Sequence, residues 1–153
     1  MKNQPKPGQI VLMASGAVML IFSFFEFYKP ASPFTGDGIN AWDTDGFFPL
    51  TWWPVLFGVA IAVLVALRVF ASVSLPDQVL SFSWKQIYFV LAFASFVIML
   101  GFLFVDIGGL LDKAVGYWFM LLASVGLLVG SVLELQDKST ASGPSRQGPA
   151  TPF

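Results

Sequence analysis

The sequence predicts an all-α membrane protein, a four-transmembrane-helix bundle with both termini in the cytoplasm. Three observations predict it. Four apolar runs, Gln9–Tyr28, Leu50–Ser72, Lys85–Val105 and Ala114–Leu135, divide the chain of 153 residues. Each has about the 20 residues that a helix needs to cross a ~30 Å hydrocarbon layer. No charged residue lies near the middle of any run. The basic residues are also asymmetric: Lys2, Lys6, Arg68, Lys85, Lys138 and Arg146 fall on one side of that threading, and only Lys29 and Lys113 on the other. Basic residues in short loops mark the cytoplasmic face.

Composition narrows the chemistry. With 56% hydrophobic and 11% charged residues, the chain lies far from the roughly 25% charge of soluble domains. The spans leave no room for a separate soluble domain of ordinary size. A net charge of −1 gives no reason to expect a nucleic-acid partner. Cys and His are both absent. That excludes disulfides and thiolate metal sites and removes the commonest general base. The sequence therefore predicts no catalytic, cofactor-binding or metal residues.

In order, residues 1–8 are an N-terminal cytoplasmic tail, and 9–28 are the first span. The apolar stretch exceeds the 7–15 residues of a signal-peptide core and no small-x-small site follows it, so it reads as uncleaved. Residues 29–49 form an extracytoplasmic loop. It is longer than the 12–15 residues beyond which structureless connections are usually functional or disordered. Phe34, Ile39, Trp42, Phe47 and Phe48 among Pro33, Gly36, Gly38, Asn40 and Gly46 argue for a compact cap with Trp42 tucked inward. Trp42, Phe47 and Phe48 are the candidate partner-contact or capping residues. Glu26, near the outer end of the first span, reads as an interfacial carboxylate in reach of headgroups and water that can also pair with Lys29 at i,i+3. Asp43-Thr44-Asp45-Gly46 lacks the further ligands of a calcium loop and reads as turn-capping or solvated carboxylates.

Residues 50–72 are the second span, whose Gly58, Ala62 and Ala66 share one face at i, i+4, i+8. Arg68 lies 18 residues after Leu50, about 27 Å along a helix, and snorkels to the inner headgroups. Residues 73–84 form a cytoplasmic connection that Pro76 breaks and whose remainder lies at the interface. Residues 85–105 are a bulky third span with Phe89, Phe93, Phe96, Met99, Phe102 and Phe104. Residues 106–113 turn tightly through Gly108-Gly109. Residues 114–135 are the fourth span, with Gly126-x-x-x-Gly130. Such small residues let helices approach closely, either within this bundle or against another protein. Residues 136–153, rich in Ser, Thr, Gly, Pro and Gln, read as a disordered cytoplasmic tail. Tyr28, Trp52, Trp53, Tyr117 and Trp118 at outer ends, and Trp84 and Tyr88 at an inner end, are placed as interface anchors.

Residues 20–70 carry a resemblance. Ser23-Phe-Phe-Glu-Phe-Tyr28, Asn40-Ala-Trp42, Gly46-Phe47, Trp52-Trp-Pro54-Val-Leu56 and Ala66-Leu-Arg68 resemble small uncharacterised four-span membrane proteins of actinobacteria. Phe25-Glu26-Phe27 departs from the Pro-Trp-Tyr-like end expected of them. The resemblance implies a plasma-membrane location and this architecture, and no activity.

For function, the leading expectation is a non-enzymatic accessory, scaffold or assembly subunit of a cell-envelope complex. Its partners would be the lipid bilayer and another membrane protein or further copies of itself. The alternative is an oligomeric transporter or channel using Glu26, Asp106 and the serines at depth. A membrane-embedded enzyme built on the outer aspartates and a regulator acting through the Ser/Thr tail are weaker readings.

Overall fold

The computed structural model describes residues 4–43, 50–71, 78–79, 81–105 and 108–137. The described residues form four helices: α1 (Pro7–Phe22), α2 (Trp53–Phe70), α3 (Trp84–Phe104) and α4 (Val115–Gln136). The last three are long and apolar enough to cross a membrane. The chain is thus a small multi-span membrane protein. Each helix runs antiparallel to the next, and α1 closes the ring by packing along α4 as well as α2. Both ends of the bundle are set by this order: Lys6, before α1, forms an ion pair with Asp137, after α4.

The largest departure from expectation is the first apolar run. It does not stay helical to Tyr28. At 16 residues α1 rises only about 24 Å. The Ser23 hydroxyl donates to Leu20 O (2.6 Å) as the helix ends, and the chain becomes strand β1 (Glu26–Pro30). Phe25 to Tyr28 are aromatic or able to extend, and such residues suit a pleated, half-buried surface as well as a span. β1 lies centrally in a three-stranded antiparallel sheet, between β2 (Ile39–Asn40) and β5 (Leu111–Lys113). The fold is therefore helical with a small sheet, where an all-α protein was expected. Ala31 N–H to Leu110 O (2.9 Å) and Ala114 N–H to Phe27 O (3.0 Å) extend the β1–β5 joint at both ends.

The strand has two consequences. Glu26 and Lys29 are no longer one helical turn apart, and among the described residues they form no ion pair with each other. Tyr28 is no interface anchor either: it is 2% exposed, and its hydroxyl donates to Phe102 O on α3 (3.3 Å). Tyr117 and Tyr88 are likewise buried rather than at the lipid boundary, whereas Trp53 and Trp118 are exposed. Below the cap, Phe27 packs edge-on against Phe102 and Tyr117.

At the opposite end a short hairpin, β3 (Gln78–Val79) and β4 (Phe82–Ser83), precedes α3 where an interfacial amphipathic stretch was expected. Ser83 then caps α3 in a reciprocal arrangement. Its Oγ accepts from Gln86 N–H (3.4 Å), and Gln86 Oε1 accepts from Ser83 N–H (2.9 Å). On α3, Met99 and Phe102 face inward, while Phe93 and Phe104 are exposed to the surroundings.

Small residues decide how closely α1 lies against its two neighbours. A Cβ on Gly16 would collide with the Gly58 carbonyl and stand 2.6 Å from the Ala62 Cβ, so α1 and α2 meet almost backbone to backbone. On the other side, a Cβ on Gly130 would sit 2.9 Å from Leu12 Cγ and 3.1 Å from Gly8 O, and one on Gly126 would collide with the Ser15 hydroxyl. The Gly126–Gly130 face is therefore covered by α1 of the same chain. It is not open to a second copy. Ala66 lies farther along α2, in an open apolar groove with Ala17 and Val63.

This geometry predicts opposite signs for two glycine substitutions. Gly16→Ala should destabilise the bundle by about 1–3 kcal/mol or more, as overpacking does. Gly101→Ala should be neutral or stabilising by up to ~1 kcal/mol, because its methyl would meet nothing within 4 Å and alanine favours helix. Thermal or denaturant unfolding in detergent measures both.

Candidate functional site

The sheet ties the α1–α2 connection to the α3–α4 turn, so this end of the bundle is a built surface. Its features begin with Ser23, at the C-terminus of α1. Ser23 O accepts from Ala41 N–H (3.2 Å), and Ser23 Oγ accepts from the Trp42 indole N–H (2.9 Å). Asn40 shapes the turn: its side chain accepts from Trp42 N–H (2.8 Å), while Asp43 accepts from Asn40 N–H (2.9 Å). Thr51, just before α2, donates to Ala41 O (2.8 Å). Residues 40–43 are thereby held from three directions.

Trp42 was expected to be tucked inward. It is instead 37% exposed, and Ala41 beside it is the fully buried residue. The indole is anchored by its N–H and stacks on Phe24 at 6.0 Å between ring centres. Phe24 is itself 66% exposed. The result is a rigid aromatic pair presented outward. Phe47 and Phe48, the other candidates of this loop, lie outside the described residues, as does Asp45 of the calcium-like fragment. Asp43 is engaged in the turn, and the described residues hold no group of three or more metal-ligating side chains.

Beside the pair, a cleft of about 690 Å³ opens between β1, β5 and the start of α4. Phe24, Phe25 and Trp118 form its apolar walls, and Glu26, Lys29 and Lys113 its rim. Lys113 lies 6.0 Å over the Tyr117 ring and donates to Val105 O (3.5 Å). The sequence pointed to the long loop but missed this cleft. Its walls come from three separate segments that only the β1–β5 pairing brings together.

At the other end, the arrangement is polar and partly hidden. Arg68 lies 5.9 Å over the Trp84 ring. The buried Tyr88 hydroxyl finds no well-formed hydrogen bond among the described residues. Glu134, on the last turn of α4, is 6% exposed and lies against Gly8 of α1. Nothing in the sequence pattern singles out Glu134, because one carboxylate near the end of an apolar run carries no spacing signal. Hydrogen bonding to Asp137 raises the pKa of Lys6, and the same bond lowers that of Asp137.

Comparison of the chain with protein-family models, with curated proteins and with solved structures finds no match in any of the three.

Two measurements test the cap. Burial pushes the Tyr28 phenol up to about 12 from 10.0. The folded state thus holds this proton more tightly than the unfolded state. Its contribution is complete below pH ~10 and is lost as the pH rises from ~10 to ~12, by at most about 2–3 kcal/mol. Tyr28→Phe should flatten the alkaline fall of the melting temperature in that window. For Trp42, the phenylalanine variant loses only the N–H bond to Ser23 and should cost about 0.5–1.5 kcal/mol. Trp42→Ala should cost more, yet less than the ~3–5 kcal/mol of a fully buried aromatic.

Proposed function

We propose that this chain is a four-pass plasma-membrane protein with cytoplasmic termini that serves, without catalysis, as an accessory, scaffold or assembly subunit. Its outer cap is the contact surface, for another membrane protein or for a further copy. The observation that carries this reading is the Phe24–Trp42 pair, held rigid by Ser23 and Asn40 while its outer face is left uncovered. Partly exposed, pre-ordered tryptophan is the residue most enriched at interaction hot spots, and a pre-ordered loop loses little entropy on docking.

The threading rests on charge. Lys6, Arg68 and Lys85 lie at the end of the bundle where α1 and α3 begin, and Lys29 and Lys113 lie at the cap. That distribution favours a cytoplasmic inner end. The short α1 is accommodated by local thinning or by its flanking residues, at modest energetic cost. A transporter or channel reading gains less support. The Ser124 and Ser131 hydroxyls donate to Leu121 O and Leu128 O of their own helix, both at 2.7 Å, and demand no polar path.

Gentle detergent extraction tests the role. Wild type should co-purify with a stoichiometric partner or as a defined oligomer, and Trp42→Ala should lose that association while its bundle still melts cooperatively. An association unchanged in Trp42→Ala removes the cap from the account. Reporter fusions after Lys138 should read cytoplasmic and an insertion at Asp43 external. An external C-terminus would overturn the four-pass threading.

A further inference from the structure

The Glu134 carboxylate is a charge without a counter-charge in contact. It is 6% exposed, and among the described residues it has no hydrogen bond and no ion pair. Lys6 acts on Glu134 through space but is itself paired with Asp137, and Arg68 lies over the Trp84 ring. A carboxylate in this position is open to a ligand that donates N–H bonds to it. Glu134 does not face packed side chains alone. With Pro7, Gly8 and Leu133 it lines a cavity of about 410 Å³ at the ends of α1 and α4, open on one side and bordered by Lys6 and Asp137.

We propose that this cavity binds a primary ammonium group carried on a short carbon stem, with Glu134 as its counter-ion. The shared chemistry is that of an aminophospholipid headgroup or of a free primary amine. Three features select it. The cavity is much larger than a bare ion or a single water needs, whose share of volume is about 30 Å³. One available carboxylate matches one positive charge. Calcium takes six to eight oxygen ligands and magnesium a near-ideal octahedron, and Asp137 is already paired. Pro7, Gly8 and Leu133 supply apolar wall for a stem, while the carboxylate accepts N–H bonds from the head, the strong charge-assisted kind. Gly8 is essential to the shape. A Cβ there would stand 3.1 Å from both Glu134 Oε1 and Gly130 O, so a side chain at this position would press on the carboxylate and on the α4 backbone.

The test uses the full chain in detergent, with binding read by native mass spectrometry and by the shift in melting temperature. Phosphatidylethanolamine is titrated against its N,N-dimethyl form and phosphatidylcholine with the same acyl chains, and ethanolamine is titrated alone. Affinity should fall through that series by tenfold or more as N–H donors are lost. Glu134→Gln should bind phosphatidylethanolamine at least tenfold more weakly. Binding of ethanolamine by itself would identify the free amine as a sufficient ligand, and binding only of the lipid would assign the site to the headgroup. Equal binding of phosphatidylethanolamine and phosphatidylcholine by wild type overturns the proposal, whether or not the Glu134 variant folds. So does undiminished binding by Glu134→Gln, which would leave Glu134 a structural residue only.

Discussion

The fold depends on how closely α1 lies against α2 on one side and α4 on the other. In a bilayer, apolar burial gives little net drive for helix association, so packing distance decides which helices stay together. α1 is the shortest helix and has the fewest residues with which to hold its place. It does so by backbone proximity: Gly16 against Gly58 and Ala62, Gly8 against Gly130, and Ser15 against Gly126. Each close approach gathers many weak dispersion contacts that a single added methyl would prevent. Once α1 is seated, Leu12 and Met19 fill the interior, and Lys6 meets Asp137 at the bundle's end.

The cap follows from the shortness of α1. Because the helix stops at Phe22, the apolar residues after it must satisfy their backbone groups in another way, and a strand between two partners does this. β1 pairs with one strand from each outer connection, which joins segments far apart in the chain. That joint fixes Ser23, and Ser23 in turn holds both Ala41 and Trp42. The exposed aromatic pair is thus rigid for a reason that begins inside the bundle.

The sequence made the long spans legible because hydropathy over about 20 residues is a local signal. It also marked Gly58, Ala62, Gly126 and Gly130 as packing positions, since four-residue spacing places them on common faces. Which helix each face meets was not legible, because that depends on the ring order of the bundle. The end of the first run was misread for a different reason. Phe25-Glu26-Phe27-Tyr28 satisfies the hydropathy of a span and the propensity of a strand alike, and the deciding partners, Asn40 and Lys113, are distant in sequence. Trp42 was legible as a notable residue, but its half-exposed position depends on the Ser23 hydroxyl. Glu134 gave no signal because its burial is produced by Gly8, at the other end of the chain.

The most direct test of the close seating of α1 uses the absence of cysteine, which leaves a clean background for paired substitutions. A Cβ on residue 126 would stand 3.3 Å from that of Ser15, close to the ~3.5–4.5 Å of a disulfide. The double variant Ser15→Cys with Gly126→Cys should oxidise readily in membranes to an internal bridge, seen as a faster-migrating monomer. Ser15→Cys with Val129→Cys, whose second site is exposed, should not. Bridging only between chains, or equal bridging in the two variants, would contradict the account, because α1 would then not lie on the glycine face of its own α4.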